Sequence, residues 1–86
     1  MDDAACVREF EKLAERLGIE VRCIAGGSSG LCTVRGRRVL FLARGLDDAS
    51  TLAVFAREFR GLNLDGMFIV PALRKHLGRD DGASGW

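Results

Sequence analysis

Three arginines, Arg35, Arg37 and Arg38, fall within four consecutive residues around Gly36. A guanidinium carries five N–H donors in a fixed fork and can hold a phosphate or a carboxylate through two bonds at once. The RGRR segment is therefore the candidate binding site, for an anion or for an acidic residue of a partner. Its plainer reading is a solvated turn whose charges discourage edge-to-edge pairing of strands. The other residues capable of chemistry are scattered. Cys6, Cys23 and Cys32 lie 17 and 9 residues apart with no CxxC pair, which fits small buried hydrophobes better than a zinc knuckle or a disulfide framework. His76 is the single histidine. It suits the negative end of a helix dipole, and no nucleophile or orienting acid is spaced to make it a general base. Arg57, Glu58 and Arg60 read as the solvated face of a helix. The GGSSG run over 26–30 joins two strands instead of opening a helix, so it lacks the setting of a phosphate-binding loop.

The elements that must position these residues follow from periodicity. From about Asp3 to Leu17, Cys6 or Val7, Phe10, Leu13, Ala14 and Leu17 recur at helical spacing, with charged residues opposite. The period then drops to two. Ile19, Val21, Cys23 and Ala25 fall on one side of a strand, against Glu20, Arg22 and Ile24. A second strand, LCTVR, and a third, VLFLA, flank Gly36-Arg37, which suits a type II′ turn with Gly at its first central position. That turn would pair Arg35 with Arg38, Val34 with Val39 and Cys32 with Phe41. It places Leu31, Leu40 and Leu42 on one face, and Cys32, Val34, Val39, Phe41 and Ala43 on the other. Asp47 or Asp48 caps a second helix carrying Leu52, Phe55, Ala56, Phe59 and Leu62. Pro71 opens a short helix that stops at Gly78, and the residues beyond it read as a flexible tail ending in Trp86.

Two resemblances attach to these segments. The order LAERLGIEV, GLCTVRGRRVLFLARGLDD, TLAVFAREFRGL, roughly Leu13 to Leu62, resembles the core of ImmA/IrrE-type zinc metallopeptidases, whose second helix carries His-Glu-x-x-His. The resemblance aligns Glu58 with the glutamate that activates a metal-bound water, and it implies Glu58 as the candidate catalytic residue. The two histidine positions hold Arg57 and Gly61, neither of which can ligate zinc, so the ligand set of that family is not carried over. The segments LGIEVRC, GLCTVRGRRVLFL and PALRKHL are also similar to a family of short, uncharacterised bacterial proteins. That second resemblance implies a compact bacterial domain and no particular activity.

The 86 residues suffice for one domain, expected over 1–78, and 48% apolar content suffices for a core. A formal charge of +1 argues against a general nucleic-acid binder. The N-terminus lacks the basic and apolar runs of a signal peptide, and no apolar run is long enough to span a bilayer; the thiols fit a reducing cytoplasm. The expected fold is α+β: helix, three-stranded antiparallel meander, helix, short C-terminal helix. Both sheet faces are apolar, so one needs a cover beyond the two longer helices: the last helix, a second copy or a partner. The expected function is a non-enzymatic interaction or accessory module, homodimeric or bound to another protein, without membrane, metal or cofactor. Its interface is expected at Ile24, Leu31, Leu40 and Leu42. The alternatives are a divergent zincin-like hydrolase using Glu58, and an anion or nucleic-acid binder using Arg35, Arg37 and Arg38.

Overall fold

The computed structural model describes residues 1–64 and 66–78; Asp65 and the segment 79–86, on which the expected tail and Trp86 fall, lie outside the described residues. The chain runs α1 (Asp3–Arg16), β1 (Glu20–Ile24), β2 (Gly30–Val34), β3 (Arg37–Ala43), α2 (Asp48–Arg60) and α3 (Pro71–His76). This is the expected α+β order. Each longer helix begins at an aspartate whose side chain accepts a backbone N–H: Asp2 from Ala5 and Asp47 from Ser50, both at 2.8 Å. Pro71 occupies the first turn of α3, where its missing N–H would have no helical partner.

The sheet corrects one expectation. Its order is β1-β3-β2, with β1 parallel to β3 and β2 antiparallel to it. The chain leaves β1, passes over the end of β3 and returns as β2 on the far side. That crossing covers two strand spacings, about 10 Å. The five residues of 25–29 reach about 17 Å when extended, and Gly26 and Gly27 turn the loop at φ 83° and 80°. β3 carries the longest apolar run of the three strands, and the central place is the one in which a strand is paired along both edges and its side chains have cross-strand neighbours on either side.

The hairpin turn also moves by one residue. It lies on Arg35-Gly36, at φ 53° and 80°, the positive pair that a type I′ turn requires. Val34 now pairs with Arg37, Thr33 with Arg38, Cys32 with Val39 and Leu31 with Leu40. The expected register would have set Arg35 directly opposite Arg38, and like charges so opposed are destabilising. The observed register gives each strand arginine a neutral partner, while Arg35 takes a left-handed backbone in exchange. Pairing shifts by two in total, so each residue keeps its expected face of the hairpin.

One core joins the helices to one sheet face. Phe10 stacks on Phe55 at 5.3 Å, and Phe59 meets both rings edge-on at 5.6 Å. All three rings are fully buried and share a cluster with Leu40, Leu42, Leu52, Leu73 and Leu77. The last helix belongs to this same cluster and packs against α1, so it is not the cover for the opposite face.

Candidate functional site

The opposite face of the sheet carries Ile24 from β1, Cys32 and Val34 from β2, and Val39, Phe41 and Ala43 from β3, by the ladder registers. None of these six belongs to the core cluster. Val39 is nevertheless only 4% exposed. Its ladder neighbours are Glu20 and Cys32, and Arg37 and Phe41 flank it on the same face of β3; long side chains of this kind shelter apolar surface with their stems while their charges stay in water. Val34 is 43% exposed and Phe41 half-buried. A shallow cavity of about 450 Å³ opens here over Val34, Val39 and Phe41, with Arg22, Arg35, Arg37 and Glu20 around it. Three bases against one acid leave this rim at 3 − 1 = +2.

The arginines expected at one tip diverge. Arg37 lies over the open face, 4.0 Å from Glu20, which is also in contact with Arg22. Arg35, at the turn, lines the same cavity. Arg38 belongs to the helix-covered side, where it donates to the Leu17 carbonyl at 3.2 Å and ties the hairpin to the end of α1. Arg22 takes its place in the rim. Sequence reasoning put Glu20 and Arg22 on one face of their strand, but only the parallel pairing of β1 with β3 brings them beside Arg37.

The expected interface also divides. Leu40 and Leu42 are 0% and 5% exposed beneath the helices, and Leu31 packs against the same core; Ile24 alone lies on the open face. Either apolar side of β3 could have received the helices, and the alternation of residues within the strand does not say which.

Glu58 has a structural neighbourhood. Its Oε1 accepts the Leu31 N–H at 3.2 Å, and its Oε2 accepts from Arg57 Nε at 2.8 Å. Arg57 in turn donates to the Ser29 carbonyl at 3.1 Å, and the Ser29 hydroxyl accepts the Ala43 N–H at 2.9 Å. The Arg57–Glu58 pair thus fastens the crossing loop and the outer edge of β2 to α2. Arg60 donates to the His76 carbonyl at 3.1 Å, joining α2 to α3. The helix face expected to be solvated is exposed at Arg57 and Arg60 and half-buried at Glu58, and it makes these ties as well. Among the described residues no three of His, Cys, Asp and Glu gather as metal ligands. Cys6 is buried, whereas Cys23 and Cys32 are exposed, contrary to their expected burial. Both sit on the outer strands, beyond the shelter of the helices. No helix is long and apolar enough to cross a membrane among the described residues. Comparison with protein-family models, with curated proteins and with solved structures found no match.

Proposed function

We propose that this chain is a small non-enzymatic interaction module, acting as a homodimer, whose open sheet face recognises an acidic protein segment bearing apolar side chains. One observation carries the reading: the helices complete a core on one side of the sheet and leave the other as an apolar floor ringed by Arg22, Arg35 and Arg37. Contact area would come from Val34, Val39 and Phe41, and the guanidiniums would supply bidentate bonds to carboxylates at the rim, where they also steer encounter. Glu58 supports this reading over hydrolysis, since its two oxygens already serve a strand amide and a guanidinium.

The test is selection of random peptides on the immobilised protein. Binders rich in Asp or Glu interleaved with apolar residues, lost on Phe41→Glu and on Arg37→Glu, would support the reading. A failure to enrich any sequence, or binding indifferent to both changes, would overturn it. Salt-sensitive binding of a short DNA duplex that requires Arg35 and Arg37 but survives Phe41→Glu would favour the anion-binding alternative instead.

A further inference from the structure

The two outer edges of the sheet are treated differently. On β2 one outward group, the Leu31 N–H, is capped by Glu58, beside the outward groups of Thr33. On β1, the Ile24 carbonyl accepts from Arg44 N–H at 2.7 Å. Alternation then turns the backbone groups of Glu20, Arg22 and Ile24 toward β3 and those of Val21 and Cys23 outward. The Ile19 carbonyl shares the outward direction, while its N–H is taken by the Ala14 carbonyl at 2.9 Å. Among the described residues nothing bonds the outward groups of Val21 and Cys23, and a bare edge of this kind is a template for another strand.

We propose that the β1 edge pairs with the β1 of a second copy, antiparallel, about a two-fold axis through Val21. The proposal deepens the reading of this chain as an interaction module and rests on it; it assigns the self-pairing to an edge and leaves the open face to another partner. Three features of the strand fit this register. Val21 faces the partner's Val21 as a hydrogen-bonded pair, so each outward N–H meets an outward carbonyl. The Cys23 N–H meets the carbonyl of the partner's Ile19, the outward group on Ile19 that has no partner among the described residues. Glu20 then stands opposite the partner's Arg22, and Arg22 opposite the partner's Glu20, at the close, non-hydrogen-bonded positions where side chains interact most. A shift of one residue, centring the axis on Arg22, would oppose Arg22 to its own copy and point the wrong backbone groups together.

The helix above the edge repeats this pattern. A cavity of about 540 Å³ runs between α1 and the edge, floored by Ile19, Val21, Cys23 and Leu42 and walled by Arg8, Glu11, Lys12 and Glu15. A two-fold axis sets α1 antiparallel to its copy. The wall reads base, acid, base, acid, which is complementary to its own reverse: Arg8 to Glu15, and Glu11 to Lys12.

The test uses the full chain with Cys23→Ser and Cys32→Ser, leaving the buried Cys6 in place. In that background Val21→Cys should give a disulfide-linked dimer under mild oxidation, because a hydrogen-bonded pair sets Cα atoms about 5.5 Å apart, within disulfide range. Arg22→Cys should not. Independently, light scattering on chains with native cysteines should show a dimer that Arg22→Glu shifts roughly tenfold toward monomer. The swap Glu20→Arg with Arg22→Glu should restore it. A monomer at all concentrations, cross-linking through position 22 in place of 21, or a swap that fails to rescue while both variants keep native circular dichroism, would overturn the proposal. A dimer that dissociates on Phe41→Glu yet fails to cross-link through Val21→Cys would overturn the edge and leave the interaction-module reading standing.

Discussion

At the scale of single residues, the clearest electrostatic effect is at Asp47. Its carboxyl is held below its ordinary pKa, first by the Ser50 N–H that it accepts and next by the Ser50 hydroxyl. Both bonds favour the charged form. A carboxylate with a lowered folded pKa contributes stability above its unfolded value, about 3.9, and loses it as the pH falls through the folded value. Acidification from pH 5 to pH 3 is therefore expected to lower the melting temperature partly through this cap. Asp47→Asn keeps an acceptor for the N–H but cannot titrate, so its loss over that range should be smaller than the wild type's. Asp47→Ala should melt lower already at pH 7. Thermal melts followed by circular dichroism at the two pH values check all three, and an equal acid response in wild type and Asp47→Asn would remove the cap from the account.

Elements were legible to different degrees. Both long helices could be read because their apolar stripes and capping aspartates are local; the buried residues of α1 are ones its spacing marks, and on α2 the spacing marks Leu52, Phe55, Ala56 and Phe59 but misses the buried Val54. The faces of the two hairpin strands were equally legible, since a shift of two in their pairing leaves each face intact, whereas Ile24 of β1, expected with Leu40 and Leu42, falls on the other face. The neighbour of β1 was not. Nothing within EVRCI distinguishes a parallel partner from an antiparallel one, and the long Gly-Ser connection was the one signal that β2 lies a strand away. Once that connection is seen to cross β3, the charged end of α2 gains a purpose that no local pattern shows: Arg57 and Glu58 hold down the loop and the β2 edge. Glu58→Ala is expected to speed hydrogen exchange at the Leu31 amide by about tenfold or more, as loss of a charge-assisted bond of about 1.5 kcal/mol or more would require. Glu58→Gln retains an acceptor and should fall between. Exchange at the buried Phe55 amide should stay unchanged in both; a uniform acceleration would mean that Glu58 supports the whole fold and not the edge.

The whole molecule is two-sided, and adjacent residues of β3 read out the difference. Leu40 points into the helix-covered core at 0% exposure, whereas Phe41 points to the open face and is half-buried. A chain of 86 residues has a total stability of about 4–13 kcal/mol at typical per-residue values. Leu40→Asp removes a buried leucine, which alone costs about 2–5 kcal/mol, and strands a carboxylate among apolar side chains besides. It should leave little or no folded protein at neutral pH. Phe41→Asp introduces its charge beside Arg22 and Arg37 at a surface open to water, so its cost should be on the order of 1 kcal/mol and the fold should survive. The selected peptide ligands should still be lost, because the new carboxylate competes for the rim arginines and the floor loses its largest side chain. Urea unfolding of the two variants, read beside peptide binding, separates the roles of the faces. If Phe41→Asp unfolds the chain as Leu40→Asp does, the open face is structural in the isolated protein and cannot be its recognition surface.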